Sequence, residues 1–197
     1  MRDPNKPAAK KLGWTLRSTK HIYESETFKL RRDEVQISGK PVTYDYEERA
    51  EAVIIVPVTK SGEIVLIEQY RYPVDAWCLE TPAGGCHDVG DASLEEVVRK
   101  ELREEIGGEA DSVEKIGWLF SAPSFADEKA WIFLAWDVIL STRPESEQTE
   151  AIRTRLLPFR EAIAKARAGE MQTAPCALSL LRCESAIKAR FPSSSFP

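Results

Sequence analysis

Three glutamates with helical spacing stand in the stretch RKELREEIGG, residues 99–108. At about 100° per residue, Glu101, Glu104 and Glu105 fall on one face of a helix, because positions i, i+3 and i+4 are neighbours there. A solvated face with glutamate–arginine pairs is the ordinary interpretation of such a charge run. The alternative interpretation is that the three carboxylates converge on a bound cation.

The positions of the glutamates relative to apolar residues favour the cation. Glu101 follows Leu94 by seven residues. Glu105 follows Val98 by seven, so both glutamates are in line with the stripe that should bury the helix. Burying a carboxylate is costly unless a positive group meets it. Oxygen ligands with surplus negative charge suit Mg²⁺ or Mn²⁺ better than zinc, which favours histidine and cysteine. The sequence therefore predicts a Mg²⁺ site, with Mn²⁺ as a substitute.

The segments around the glutamates predict an α/β fold with a mixed sheet. Ser93 is the expected N-cap of the glutamate helix, with Glu96 as its capping-box partner and Gly107–Gly108 as its stop. Apolar runs predict a hairpin of two strands, AVIIVPV (52–58) and EIVLIEQYRY (63–72), about the turn TKSGE, and two later strands, SVEKIGWLF and AWIFLAWDVIL. Two further helices are predicted, PFREAIAKARAGE, which Pro158 opens, and the last helix APCALSLLRCESAIKARF.

Short β-like stretches and turn signals over residues 14–48 predict a small antiparallel meander before this core. We therefore expect a meander over residues 1–48, a main domain over 49–190 and a frayed tail over 191–197. A chain of 197 residues with 43% hydrophobic content suits one main domain of this kind.

The net charge and the cysteine content limit the expected binding partners and the expected cellular compartment. The 27 lysines and arginines stand against 32 acidic residues, and a net charge of −5 gives no reason to expect binding to nucleic acid or to a membrane. No stretch has the character of a secretory signal or the length of a membrane span. Four scattered cysteines are expected to be reduced thiols. We therefore expect a cytoplasmic protein.

The glutamate helix and the loop before it resemble the signature of the Nudix hydrolase superfamily, G-x5-E-x7-R-E-U-x-E-E-x-G-U, in which U is aliphatic. Its second half is matched by KELREEIGG. The resemblance implies an α/β/α sandwich whose loop–helix–loop motif binds divalent metals, and these activate water to cleave a pyrophosphate. By position, Glu101 and Glu105 would be the principal metal ligands, with Glu104 beside them in the cluster.

The first half of the signature departs from this pattern. Lys100 stands where arginine is usual, Ala92 at the earlier glutamate and Cys86 at the glycine. Reading the loop with one inserted residue places Asp91 at the missing acid and Gly85 as the loop glycine. An Asp91–Lys100 pair would then orient the start of the helix, less rigidly than arginine does because lysine lacks the planar fork.

Four further stretches resemble the ADP-ribose and nucleoside diphosphate sugar branch of the family: EQYRYP, ETPAGG, SAPSFADE and an acidic loop before the penultimate helix. The resemblance implies that Arg71 contacts the diphosphate and that Glu80 lies in the site. It also implies that the backbone carbonyl of Ala83 completes the metal shell. Pro123 resembles a downstream proline associated with ADP-ribose specificity. The ordinary alternatives are solvated groups at strand ends for Arg71 and Glu80, and a turn residue for Pro123.

The same branch takes its general base from a glutamate on a mobile loop. The acidic stretch STRPESEQTEAIRTRLL supplies the candidates. Glu150 matches the family position best, Glu147 second and Glu145 third, while Glu104 is the further catalytic candidate within the helix cluster. A flexible acidic loop without a catalytic member is the alternative.

The N-terminal meander resembles the segment through which this branch dimerises by exchange, so that aromatic side chains of both subunits sandwich the nucleobase. Phe28 and Tyr44 are the candidates, since either ring suits stacking on a purine. An aromatic residue in a strand is otherwise a core residue.

The expected protein is thus a homodimeric, Mg²⁺-dependent pyrophosphatase that cuts ADP-ribose to AMP and ribose 5-phosphate, or cuts a related nucleoside diphosphate sugar. The alternatives are a Nudix-fold sensor that binds without cleaving and a Nudix hydrolase of another nucleoside diphosphate derivative.

Overall fold

The N-terminal part of the chain is an antiparallel sheet of three strands. The computed structural model describes residues 6–25, 29–86, 92–144 and 151–192. Helix α1 (Pro7–Lys11) precedes strands β1 (Thr15–Glu24), β2 (Lys29–Ile37) and β3 (Lys40–Glu48), which pair in the order β1-β2-β3. Between β2 and β3, Ser38 at φ 48° and Gly39 at φ 79° adopt the left-handed conformation that a two-residue hairpin turn requires. The predicted meander is confirmed.

The chain divides into two units. The first comprises residues 1–50 together with 120–128, and the second comprises residues 51–119 and 129–197. Segment 120–128 joins the first unit through backbone hydrogen bonds, since Glu47 donates to the Phe125 carbonyl at 2.8 Å and accepts from the Asp127 amide at 3.1 Å. The dimerisation role of residues 1–48, the extent of the main domain over 49–190 and the frayed tail over 191–197 stay predictions.

The second unit alternates strands and helices. Its strands are β4 (Ala52–Pro57), β5 (Glu63–Arg71), β6 (Ala76–Glu80), β7 (Ala83–Gly85), β8 (Gly108–Glu109), β9 (Ser112–Phe120), β10 (Lys129–Trp136), β11 (Ile139–Leu140) and β12 (Ile152–Pro158), and its helices are α2 (Leu94–Ile106), α3 (Phe159–Ala168) and α4 (Ala174–Arg190). They form sheets in the orders β7-β4-β10-β9 and β12-β5-β6, with a short β11-β8 pair. Within the described residues, no helix combines the length and apolarity needed to cross a membrane.

The central strands are buried on both faces, and this produces three layers. Along β4, Ile54 and Val56 belong to the core that includes residues of α3 and α4. The alternate residues, Val53 and Ile55, belong to the core that includes residues of α2. Because successive side chains of a strand point to opposite faces, helices cover both sides of the sheet. Strand β4 runs parallel to β10 and antiparallel to β7, so the predicted α/β/α sandwich with a mixed sheet is confirmed.

Two details of the predicted strands are wrong. The expected β4–β5 hairpin holds only one bridge, Val58 to Ile64, after which the two strands enter different sheets. Strands that are apolar on both faces find partners on either side, so the turn between them does not decide the pairing. The stretch AWIFLAWDVIL is broken at Asp137, whose φ of 54° ends β10 before β11 begins.

Helix α2 begins and ends where the capping residues predict. The Ser93 hydroxyl accepts a hydrogen bond from the Glu96 amide at 3.3 Å, and the Glu96 carboxylate accepts from the Ser93 amide at 2.6 Å. Hydrogen bonds that the Ser93 amide and hydroxyl donate to the Glu96 carboxylate lower the pKa of Glu96. At the other end, Gly107 takes a left-handed φ of 61° and its amide donates to the Arg103 carbonyl at 3.0 Å. The helix that carries the glutamates is therefore fixed at both ends.

Removing the cap should loosen this helix. Ser93→Ala deletes the side-chain acceptor of the first turn, and we expect the melting temperature to fall by about 2–4 °C for a chain of this size. Ser93→Thr keeps a capping hydroxyl and serves as the control, with a melting temperature near that of the wild type. Calorimetric melting curves measure both. Equal melting temperatures for the alanine and threonine variants would contradict the role of this cap.

Candidate active site

Helix α2 carries two of its glutamates into the interior. Glu101 is 8% exposed and Glu105 is 4% exposed, although both are ionisable. They lie in the same buried stripe as Val97, Val98 and Leu102, as the seven-residue spacing predicts. Glu104 is half-buried. An ionisable group in this environment requires a positive partner or hydrogen-bond donors.

Strand β7 meets the buried glutamates with its backbone. The amide of Ala83 donates a hydrogen bond to Oε2 of Glu105 at 3.0 Å. A hydrogen bond to a charged acceptor is stronger than one between neutral groups, so this amide offsets part of the cost of burying the Glu105 carboxylate. Ala83, the residue expected to offer its carbonyl to a metal, therefore lies directly against the side chain of the expected ligand Glu105.

Gly84 gives Glu101 its room. A Cβ atom built on Gly84 would lie 2.0 Å from Cδ of Glu101 and 2.1 Å from its Oε1. Real Cβ atoms do not approach carboxylate atoms this closely, so only glycine allows the carboxylate to rest against the strand. The sequence analysis did not identify Gly84 as a site residue. The signal was present in the stretch ETPAGG, where a glycine within a short strand indicates a close approach.

Lys100 lies beside the glutamate cluster. Its Nζ is 3.1 Å from Oε2 of Glu104 and 3.9 Å from Oε1 of Glu101. Asp91, the partner that the sequence analysis assigned to Lys100, lies outside the described residues. Within the described ranges, no group of three or more histidine, cysteine, aspartate or glutamate side chains is arranged to hold a metal ion. The metal-ligand roles of Glu101, Glu104, Glu105 and Ala83 thus stay predictions.

Arg71 and Glu80 form the second polar cluster of this unit. Their strands, β5 and β6, are antiparallel neighbours. Nε of Arg71 donates to Oε1 of Glu80 at 3.1 Å, and Nη2 donates to Oε2 at 2.5 Å. The Arg71 side chain is 43% exposed, whereas that of Glu80 is 1% exposed. Hydrogen bonding to Glu80 raises the pKa of Arg71, so the guanidinium stays charged. This bidentate pair presents a fixed cation to solvent.

The start of helix α4 contacts Glu80 and its neighbour Thr81 through two residues, Thr173 just before the helix and Cys176 within it. Thr173 donates its hydroxyl to Oε1 of Glu80 at 2.7 Å. Cys176 directs its thiol at the carbonyl of Thr81, with a sulfur–oxygen distance of 3.7 Å. Neither residue was identified from the sequence, because Thr173 and Glu80 are 93 positions apart and no local pattern joins them.

Burial disfavours the ionisation of two thiols of α4. It raises the pKa of Cys176 to about 11 and that of Cys183 to about 12. At pH 8 a thiol with a pKa of 11 is ionised in about one molecule in a thousand. We therefore expect iodoacetamide to label the half-buried Cys86 at least about 100-fold faster than either of them, as measured by peptide mass spectrometry. Unfolding in guanidinium should equalise the rates. Rapid labelling of Cys183 in the folded protein would contradict this expectation.

A cavity of about 420 Å³ lies within the first unit. Its lining includes aromatic, cationic and turn residues, among them Lys10, Trp14, Tyr44, Tyr46, Pro123 and Ser124. Tyr44 is 41% exposed, and its ring stacks on Trp14 with 6.1 Å between ring centroids and 24° between planes. The structure thus brings together two predicted substrate residues, Tyr44 and Pro123. It adds Trp14, which the sequence analysis did not single out.

Several predicted site residues lie outside the described residues, and their roles stay predictions. These are the candidate bases Glu145, Glu147 and Glu150, the loop acid Asp91 and the aromatic candidate Phe28.

Comparison with known proteins identifies the family. The family model described as NUDIX domain matches residues 48–175. An ADP-ribose pyrophosphatase of Mycobacterium tuberculosis is 33% identical over 156 residues, which are 78% of this chain and 75% of the relative. A GDP-mannose pyrophosphatase of Cronobacter sakazakii is 30% identical over 157 residues, which are 76% of this chain and 80% of the relative.

The fold agrees with a solved structure. A crystal structure of an ADP compounds hydrolase superposes with a TM-score of 0.78 and 21% sequence identity, covering 90% of this chain and 95% of the other. The matched family region contains β4, β5, β6, β7 and α2, and therefore Arg71, Glu80, Gly84 and the glutamate cluster. The chain belongs to the Nudix hydrolase family as a pyrophosphatase, and its similarities lie in the branch of ADP-ribose pyrophosphatases and related nucleoside diphosphate sugar hydrolases.

Proposed function

We propose that this protein is a homodimeric, Mg²⁺-dependent hydrolase that cuts the pyrophosphate bond of ADP-ribose to give AMP and ribose 5-phosphate. The observation that carries the proposal is the pair of buried glutamates on α2, Glu101 and Glu105, seated against Gly84 and Ala83 of β7. A helix has no structural need for two carboxylates in its buried stripe. The two carboxylates are accounted for if they bind a divalent cation that accompanies the diphosphate of a substrate.

The donor set suits a hard divalent cation. Glu101 and Glu105 would hold the ion, with Glu104 and the Ala83 carbonyl as further oxygen ligands. Oxygen donors with a surplus of negative charge favour Mg²⁺, and Mn²⁺ is the expected substitute. A bound divalent ion of this kind neutralises phosphate charge and lowers the pKa of a coordinated water. The chain's own contribution is the pair Glu101 and Glu105, whose carboxylates lie against Gly84 and the Ala83 amide of β7.

Arg71 is the proposed contact for the diphosphate. Its guanidinium is partly exposed, and the bidentate bonds to Glu80 fix its plane. Arginine binds phosphate oxygens in a planar, two-pronged geometry, so an arginine that is already oriented loses less freedom when the substrate binds. Glu80 therefore acts as the side chain that positions Arg71. The proton of the attacking water would go to a glutamate of the acidic loop, with Glu150 as the first candidate and Glu147 as the second.

The cavity of the first unit is the proposed place for the nucleobase. Tyr44 and Trp14 offer aromatic faces there, and Pro123 lines the same cavity. Aromatic rings of this kind suit stacking on a purine.

We propose further that residues 1–48 mediate dimerisation by exchange, with Phe28 as an additional aromatic contact. We expect neither nucleic acid nor a membrane as a partner. The four cysteines, all of which lie in the described part of the chain, form no disulfide bond, and this supports a reducing compartment, which for this protein would be the cytoplasm.

A related nucleoside diphosphate sugar is the second candidate substrate. The relative from Cronobacter sakazakii, a GDP-mannose pyrophosphatase, favours testing it. Purified protein is incubated with Mg²⁺ and ADP-ribose, ADP-glucose, GDP-mannose or UDP-glucose, and kcat/KM is measured for each. We expect the value for ADP-ribose to be at least about tenfold above the others. A preference for GDP-mannose would keep the pyrophosphatase assignment and replace the proposed substrate.

A further inference from the structure

Thr173 occupies the N-cap position of α4, where a threonine hydroxyl usually caps the helix. It is the N-cap of α4, and its backbone carbonyl accepts the first helical hydrogen bond, from the Ala177 amide at 3.1 Å. A threonine at this position normally turns its side-chain oxygen to a backbone amide of the first turn. In the described chain Thr173 makes no such capping bond. Its hydroxyl instead donates to Oε1 of Glu80 at 2.7 Å.

This hydroxyl completes the set of donors around Glu80. The carboxylate is 1% exposed and takes two bonds from Arg71 in addition to the one from Thr173. Oε1 therefore receives Nε of Arg71 and the hydroxyl, while Oε2 receives Nη2. Without the hydroxyl, only Arg71 would remain among these donors. The carboxylate could then rotate together with the guanidinium, because no fixed group would define its plane.

A second contact shows that the start of α4 is fixed against the same strand. The thiol of Cys176 lies 3.7 Å from the carbonyl of Thr81, the residue next to Glu80. Cys176 therefore attaches α4 to the backbone of the chain next to Glu80. Substitutions at Thr173 and at Cys176 can therefore distinguish the hydrogen bond to Glu80 from the attachment of α4 to the neighbouring strand. Thr173 donates to the carboxylate itself, whereas the hydrogen bond of Cys176 goes to the backbone beside it.

We propose that Thr173 is a positioning residue for the reaction, which acts through Glu80 to hold the Arg71 guanidinium in the orientation that receives the diphosphate. The inference rests on the proposed function for the role of Arg71. The geometric relation between the three side chains is independent of any substrate. Thr173 itself does not touch the diphosphate, so its loss should weaken substrate binding rather than stop the chemical step.

The kinetic test uses Thr173→Val, which keeps the shape of the side chain and removes its hydroxyl. We expect KM for ADP-ribose to rise about five- to tenfold while kcat changes by less than about twofold, because the interaction serves binding in both the ground state and the transition state. Thr173→Ser should restore the wild-type KM. In an Arg71→Ala background, Thr173→Val should have no further effect on KM. Unchanged KM in Thr173→Val, or an equal loss in the Arg71→Ala background, would overturn the inference.

A spectroscopic test needs no substrate. The Nε–H group of Arg71 gives a nitrogen–proton signal, which is identified by its absence from Arg71→Lys. We expect its exchange with solvent to be at least about fivefold faster in Thr173→Val than in the wild type, and to be unchanged in Thr173→Ser. The control is Cys176→Ala, which loosens α4 but leaves all three donors of Glu80 in place, and should not change the rate.

The outcomes of the two tests are separable. Equal exchange rates in Thr173→Val and the wild type would overturn the positioning role, as would an equal acceleration in Cys176→Ala. A wild-type protein that hydrolyses no nucleoside diphosphate sugar would overturn the proposed function instead. In that case the exchange rates would still decide whether Thr173 orients Arg71 through Glu80.

Discussion

Glu105→Gln is expected to lower kcat for ADP-ribose by about 10³-fold or more while leaving the fold intact. Glu105 is 4% exposed, and its Oε2 accepts the Ala83 amide at 3.0 Å. Glutamine has the same shape and keeps an oxygen acceptor for that amide, so the helix and β7 should stay in contact. What it loses is the negative charge that binds a divalent cation and balances it at the pyrophosphate.

Stability measurements show whether Glu105→Gln loses activity because it lacks the negative charge or because its fold is damaged. Neutralising a buried carboxylate removes its desolvation penalty, so the melting temperature of Glu105→Gln without added metal should equal or exceed that of the wild type. Glu95→Gln is the matched control, because Glu95 is an exposed glutamate on the same helix. It should retain activity within about twofold of the wild type. Wild-type turnover in Glu105→Gln would contradict the assignment of Glu105.

Gly84→Ala is expected to damage both activity and stability. The φ of Gly84 lies outside the left-handed region, so an alanine meets no backbone strain and only space matters. Its Cβ would stand 2.0 Å from Cδ of Glu101, which must therefore move. Displacing a reacting group by about 1 Å can cost on the order of 100-fold in rate, and overpacking costs about 1–3 kcal/mol of unfolding free energy. Steady-state kinetics and chemical denaturation measure the two effects.

The double variant Gly84→Ala with Glu101→Ala identifies the cause. If the clash with the Glu101 carboxylate produces the instability, Gly84→Ala should cost little stability in the Glu101→Ala background, because the new methyl group then has room. Turnover should stay low, since Glu101 itself is absent. The same loss of unfolding free energy in both backgrounds would show that the methyl group disturbs something other than Glu101.

The glutamate helix was predictable because its signals are local. The cap at Ser93, the stop at Gly107 and the apolar spacing all lie within one stretch, and α2 runs from Leu94 to Ile106 as these signals indicate. The burial of Glu101 and Glu105 follows from the same spacing. Features of this kind depend on one helix and on the periodicity that a single face imposes, and sequence contains both.

Features that depend on pairing between distant segments were not predictable. Strand β12 pairs antiparallel with β5, although the sequence analysis included IRTRLL in the acidic stretch. Arginines alternate with Ile152, Thr154 and Leu156 in this stretch, which is a strand pattern, but nothing local indicates that β5 is its partner. The contact between Thr173 and Glu80 depends on how α4 docks against β6, and the stacking of Trp14 on Tyr44 depends on the first unit's packing. Only tertiary structure brings these residues together.

The most direct test of the central claim is product analysis by chromatography after ADP-ribose is incubated with the purified protein, with Mg²⁺ or with EDTA. We predict that AMP and ribose 5-phosphate form in equal amounts with Mg²⁺ and that neither forms with EDTA, because the carboxylates of α2 need the cation to act on the pyrophosphate. Intact ADP-ribose under both conditions would contradict the proposed activity. Cleavage that proceeds equally with EDTA would contradict the role of the glutamate cluster.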